Sequence, residues 1–313
     1  MKMQKEKVFV AALSVLSNTI LIILKLIIGV IIGSVSVISE AIHSGVDLLA
    51  AVIALLAVRK SSKPADKDHS YGHGKYENLS GTIESFLIFV AAVWIIVAAI
   101  HKLINPQPIE AVGWGVGVML FSSVVNIVVS HMLFKVGKKT DSIALQTDAW
   151  HLLTDVYTSA GVMVGLSFLW FGERIMPQVD LHWIDPVAAL GVALLIMKAA
   201  YSLSRQSMRD LLDVSLPPEE ETWVKNKIKE MYPQVRGFHN FRSRKSGSTR
   251  FVEFHLMVDA TMLVQESHYL NDKIVRDVKS RFKDSKIMVH IEPCDNTCET
   301  KCLASCFVKN PPR

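Results

Sequence analysis

Six long apolar stretches crowded into the first two thirds of the chain restrict its fold more than any other feature. Residues 8–31, 35–58, 80–104, 111–135, 143–170 and 184–204 each supply the roughly 20 apolar residues that a hydrocarbon core about 30 Å thick requires. Half of all residues are apolar, and beyond residue 204 the chain turns charged. An ordinary soluble domain is excluded. The pattern predicts an all-α, six-helix transmembrane domain over 1–210, a small cytoplasmic α+β domain over 211–293 and a cysteine-containing tail over 294–313.

Basic residues orient the spans, because positively charged flanks stay on the cytoplasmic side. Lys2, Lys5 and Lys7 precede the first span; Arg59, Lys60, Lys63, Lys67 and Lys75 follow the second; Lys135, Lys138 and Lys139 follow the fourth; Arg205 and Arg209 follow the sixth. The opposite connections carry only Lys102 and Arg174. Both termini are therefore expected in the cytoplasm of a multi-pass protein of the inner or plasma membrane. The first apolar run is too long for a cleavable leader and lacks a small-residue cleavage site. Net charge +5 follows from these flanks, and no interleaved basic and aromatic patch points to nucleic acid.

Two of the spans carry nearly the same polar motif. Ser39-Glu40-Ala41-Ile42-His43-Ser44-Gly45-Val46-Asp47 lies in the second, and Thr147-Asp148-Ala149-Trp150-His151-Leu152-Leu153-Thr154-Asp155 in the fifth. Each places a His and an Asp four residues apart, one turn along a single helix face. Ionisable groups at membrane depth are costly, so matched pairs point to a site on a pathway rather than to local i,i+4 hydrogen bonds. Alternation makes the two spans antiparallel, and each motif starts roughly 15 Å from its own end of the membrane. His43, Asp47, His151 and Asp155 can then converge near the midplane, in the inverted arrangement that transporters favour.

Two imidazoles and two carboxylates suit tetrahedral Zn²⁺. The carboxylates balance the ion, so the loaded site is close to neutral. Departure of the metal leaves charge that protons must replace, and histidine, with an ordinary pKa near 6.5, is the natural acceptor. Glu40 and Asp148, each three residues before its His, fit either relays at the two mouths or hydrogen bonds at helix starts and between helices. Lys25, His131 and Lys198 fall within or near span ends, where snorkelling accounts for the lysines.

The soluble part reads as a helix near 218–231, strands near 235–244 and 249–259, a helix near 264–281 and a strand near 286–292, an α-β-β-α-β order. In the second strand Val252, Phe254, Leu256 and Val258 alternate onto one face and leave His255 on the other. In the last strand Ile287, Val289 and Ile291 leave His290 and Glu292 together on the opposite face. With His239 and His268 these make a cluster of metal-ligand type, against the plainer reading of polar residues on a solvated face.

On these residues the chain resembles the cation diffusion facilitators, six-span dimeric transporters that export divalent transition metals in exchange for protons. The resemblance reaches from the first span to about Pro293. It implies a homodimer in the lipid bilayer whose partners are divalent metal ions and protons. It also implies Zn²⁺ as substrate and regulatory ligand, no organic cofactor and no enzymatic reaction. Many members carry Asp where this chain has His43, and fewer carboxylates favour Zn²⁺ or Co²⁺ over the harder Mn²⁺. Between spans two and three, Asp66, Asp68, His69 and His73 lie in a polar run. There the resemblance marks Asp66, His69 and His73 as a second metal site, whereas turn chemistry alone reads an Asp-capped turn with solvated histidines. The resemblance further implies a charge pair between Lys75 and Asp213. It places His239, His255, His268, His290 and Glu292 at a pair of metals near the dimer interface, with Glu292 standing where a shorter Asp occurs in relatives.

Cys294, Cys298, Cys302 and Cys306 fall every fourth residue, so in a helix their thiols would spread over about 120° of one face. A soft-metal tail site is the preferred reading, and a disordered tail with idle thiols the alternative. The expected function is proton-coupled efflux of Zn²⁺, or of Co²⁺, Cd²⁺ or Fe²⁺, by alternating access in a homodimer. One rival is a membrane-anchored metal sensor or scaffold, against which the paired span motifs argue. Another is an intramembrane metalloenzyme, for which no separate nucleophile or base is present.

Overall fold

A computed structural model of the chain describes residues 2–32, 35–105, 113–175, 183–294 and 305–309. The connections read as external, near 32–34, 101–110 and 170–183, lie largely outside these residues. The chain divides into two compact units, Met1–Met208 and Arg209–Arg313.

Six long helices carry the first unit: α1 (Lys2–Ile32), α2 (Val35–Ser61), α3 (Lys75–Ile104), α4 (Gly113–Thr140), α5 (Ile143–Ile175) and α6 (Ile184–Leu211), the last running on into the second unit. Among the described residues, Met3–Ile28, Lys75–Ile104 and Leu120–Thr140 are long and apolar enough to cross a membrane. Helices in lipid gain nothing by hiding apolar surface from water, so their packing depends on close approach and on polar bonds between them. Small residues supply the first: Ala50, Ala51 and Ala54 of α2 and Ala144 and Ala149 of α5 are wholly buried. Gly81 of α3 supplies it too, since a Cβ there would stand 2.6 Å from Ser207 Oγ of α6. Helix α5 contributes to both apolar clusters of the unit, one with α1, α2 and α4, the other with α3 and α6.

Glu77, in the first turn of α3, supplies the polar bonds at one end. It accepts from Lys7 Nζ of α1 at 2.9 Å, from Ser61 Oγ of α2 at 2.8 Å and from Ser142 Oγ just ahead of α5. The end of α2 and the start of α5 thus meet at one carboxylate, which makes these two helices antiparallel and α3 and α5 parallel.

The second unit comprises α7 (Pro218–Lys229), β1 (Val235–Ser246), β2 (Thr249–Asp259), α8 (Val264–Arg281) and β3 (Ser285–Cys294). The sheet order is β1-β2-β3, with β1 antiparallel and β3 parallel to the central β2. A parallel return needs a long crossover, and α8 supplies it. Val252, Phe254, Leu256 and Val258 of β2 are buried, as are Leu270, Ile274 and Val278 of α8 at i, i+4 and i+8. Each such side chain contributes about 1.5–3 kcal/mol. The covered face belongs to the helices, and the histidines stand on the other.

Residues 305–309 lie along the outer edge of β1. Cys306 bridges Gly237 in antiparallel sense, Phe307 N–H donates to Arg236 O at 2.9 Å, and Phe307 is buried against Phe238. Only glycine fits at 237, where a Cβ would meet Ser305 O at 2.8 Å. The chain at Cys306 is extended, so the helical face counted from four-residue spacing does not extend to it. Cys294 and Cys306 are buried free thiols, and Cys298 and Cys302 lie outside the described residues.

Candidate functional site

Antiparallel packing of α2 on α5 brings the two span motifs together. His151 Nε2–H donates to Asp47 Oδ1 at 3.0 Å, and both side chains are almost fully buried. Asp155 and Asp148, one turn on either side of His151 along α5, both act on its ring electrostatically. One imidazole and three carboxylates from two helices therefore act on one another, with Asp47, Asp148 and His151 buried and Asp155 partly so. The Glu40 and His43 side chains lie outside the described part of the structure. Their backbone is helical within α2, one to two turns before Asp47.

Lys25 of α1 adds a feature that snorkelling does not describe. It is buried, and its Nζ donates to Ser44 Oγ at 2.7 Å, beside His43 in the α2 motif. Glu77 and Glu84, seven residues apart on α3, are two further wholly buried carboxylates that belong to no paired motif. The signal was available, because Glu84 falls inside an apolar span and so meets the same criterion as Asp148.

The loop after α2 gathers Asp66, His69 and His73. Asp66 Oδ1 accepts the backbone N–H groups of Asp68 at 3.1 Å and His69 at 2.7 Å, an Asp-capped turn. The same turn carries His69 Nδ1 to 3.4 Å from Asp66 Oδ1 and His73 Nε2 to 3.3 Å from Asp66 Oδ2. His73 is not a solvated residue: it is 2% exposed, stacks on Tyr76, and neither ring nitrogen has a hydrogen bond. The backbone N–H of His69, helped by the two rings, holds the Asp66 carboxyl below its ordinary value of 3.8. Asp68 stays at the exposed edge of the turn.

In the second unit strand register sets the arrangement. His239 of β1 pairs with His255 of β2, and His255 with His290 of β3, so three rings stand in a row across the sheet, with centroids 5.0 and 4.8 Å apart. Glu292, two residues beyond His290 on the same face, bridges them. Its Oε1 lies 2.7 Å from His255 Nδ1 and 3.5 Å from His290 Nε2, and its Oε2 lies 3.2 Å from His239 Nε2. A side chain one methylene longer than Asp spans both outer partners. Directly after His239 the β1 register slips, with Asn240 at φ 50°, a conformation Asn tolerates. His268 stands apart from this group on exposed α8, 3.6 Å from Asp272. Asp213 accepts from Arg244 Nη1 at 3.4 Å.

Comparison with known proteins identifies the class. Residues 11–212 match the cation efflux transmembrane domain, and residues 216–294 the cytoplasmic domain of cation efflux proteins. An uncharacterised transporter of Synechocystis sp. is 33% identical over 84% of this chain and 83% of its own length. The cation-efflux pump FieF of Cronobacter sakazakii is 32% identical over 91% of this chain and 92% of its own. A solved structure of the metal-bound C-terminal domain of the CzcD transporter from Thermotoga maritima is 28% identical over 26% of this chain and all of that one, with a TM-score of 0.24. The chain belongs to the cation efflux, or cation diffusion facilitator, family. It is a membrane-integral cation efflux transporter with a cytoplasmic α+β domain.

Proposed function

We propose that this transporter exports Zn²⁺, or a similar divalent metal such as Co²⁺, Cd²⁺ or Fe²⁺, from the cytoplasm in exchange for protons. It works as a homodimer by alternating access, six times across the inner or plasma membrane with both termini cytoplasmic. One observation carries the reading: the Asp47–His151 contact across antiparallel α2 and α5, buried among further carboxylates in the transmembrane domain of the family. His43, Asp47, His151 and Asp155 form the transport site. Cytoplasmic metal is captured at Asp66, His69 and His73, and its level is sensed at His239, His255, His268, His290 and Glu292, with the cysteine tail as a further soft-metal site. Lys75 and Asp213 form a charge pair, and Glu40 and Asp148 flank the transport ligands.

With the metal bound, the carboxylates neutralise it and the site tolerates its low-dielectric surroundings. After metal leaves on the outer side, protons on the imidazoles restore that balance, so empty and unprotonated is the costly state and the two cargoes become coupled. The test is Zn²⁺ flux into vesicles reconstituted with the chain and loaded with a fluorescent Zn²⁺ indicator. Under a proton gradient Asp155→Ala is expected to abolish flux; flux equal to wild type would refute the assignment of the transport site.

A further inference from the structure

Glu84 and Asp148 pose a problem of charge that the transport ligands do not solve. Glu84 lies in the third turn of α3 and Asp148 in the second turn of parallel α5, and both are 0% exposed. They act on each other electrostatically. Ser80 Oγ donates to Glu84 Oε1, but Glu84 Oε2 and both oxygens of Asp148 have no hydrogen bond. Ser14 of α1, also 0% exposed, acts on Asp148 through its hydroxyl, which makes no hydrogen bond of full geometry. Orphaned carboxylate oxygens at this depth are destabilising by several kcal/mol unless something of opposite charge joins them.

A proton held directly between the two carboxyls requires them to be hydrogen-bonded to each other, and in this structure they are not. An ion contacting both carboxyls would satisfy the three orphaned oxygens together. Two carboxylates cancel a divalent charge, and an all-oxygen donor set suits a harder ion than one containing imidazole does. The position is on the way to the transport ligands. Glu84 stands seven residues into α3 from Glu77, Asp148 six residues into α5 from Ser142, and His151 a further turn along α5. A cation moving inward from the Glu77 end of the bundle passes between Glu84 and Asp148 before reaching His151 and Asp47.

We propose that Glu84 and Asp148, joined by the Ser14 hydroxyl, form a second divalent-cation site inside the helical unit, a staging site one turn short of the transport ligands. This rests on reading Asp47 and His151 as transport ligands. Short steps between carboxylate pairs keep the ion close to compensating charge, which smooths its route through a medium of low dielectric. The site also admits hard ions that the imidazole site then rejects, so selectivity is exerted at the second step.

The experiment titrates Mn²⁺ onto the full-length chain in detergent, counting bound ions by equilibrium dialysis and following the bound ion's paramagnetic resonance. Wild type, Glu84→Gln, Glu84→Asp and Asp155→Asn are compared. Glu84→Gln is expected to bind one Mn²⁺ fewer per chain, with the loss restored in Glu84→Asp and absent in Asp155→Asn. A Mn²⁺ count in Glu84→Gln equal to wild type overturns the proposal and leaves the pair as neutral, protonated groups. If Glu84→Gln fails to elute as folded protein, Asp148→Asn is read in its place under the same criterion. Zn²⁺ flux separates the two readings: undiminished flux in Asp155→Asn sinks the transport site itself. Lost flux there, together with an unchanged Mn²⁺ count in Glu84→Gln, sinks the staging site alone.

Discussion

The intramembrane group around His151 and the sheet-borne group around Glu292 use the same residue types in opposite ways. Asp47 and His151 come from helices far apart in sequence and meet because α2 and α5 pack antiparallel with alanines between them. His239, His255 and His290 come from neighbouring strands and meet because register puts them opposite one another. The first group is walled off from water, so its charges interact strongly and tolerate no uncompensated state. The second is partly exposed: the His290 side chain retains 66% of its accessibility and that of Glu292 28%. Water and salt weaken its internal interactions. A buried group of this kind suits a site where charge must be exchanged for charge, and an open one suits reversible sampling of metal in the cytoplasm.

Asp47→Asn tests the buried side of that contrast most severely. It removes the negative charge facing His151 while keeping an oxygen that can accept its hydrogen bond, and is expected to lower Zn²⁺ flux by about two orders of magnitude or more, beyond what loss of an outer-shell contact does. Vesicle flux checks it, and a loss below about tenfold would place Asp47 outside the ligand set. Glu292→Ala probes the open side. Metal affinity of the full chain should fall about 10- to 100-fold at this site while flux at saturating Zn²⁺ stays near wild type, as read by calorimetry and vesicle assay. Equal losses of flux in the two variants would erase the distinction between transport and sensing.

The loop supplies an intermediate case. The depressed Asp66 pKa means its carboxylate is ionised throughout the range above its ordinary 3.8, and its contribution is lost only as pH falls below that. Asp66→Asn should therefore weaken loop-site affinity by a similar factor, about tenfold, at about pH 5 and pH 8. A loss confined to one end of that range would show that Asp66 is not acting as a standing charge. The smallest effect belongs to His268→Ala. Its side chain is 71% exposed beside Asp272, and removal should change stability by less than about 0.5 kcal/mol. A drop in metal stoichiometry in that variant would mean that a second copy of the chain completes a site with His268.

Much of this was readable from residue order alone, and the reasons differ by region. The strands were legible because alternation has period two, so placing Val252, Phe254, Leu256 and Val258 inward put His255 outward without further information. The paired span motifs were legible because ionisable residues stand out against apolar neighbours. Glu84 stands out equally but has no sequence twin, so repetition does not mark it. Lys25 read as a snorkelling residue because its neighbour Ser44 is supplied by another helix. His73 read as solvated, yet Tyr76 covers it, a contact that loop composition does not encode.

Chain order by itself determined the apolar helices, the charged flanks between them, the α-β-β-α-β pattern and the residues of metal-ligand type, because periodicity and desolvation cost are local properties. Tertiary structure alone decided which of those residues meet. It placed Asp47 against His151, Glu292 between His239 and His255, and Glu84 near Asp148, and it left His268 apart. Contacts between distant segments depend on how helix faces approach and how strands slip in register, and these are properties of the packed chain rather than of any stretch within it.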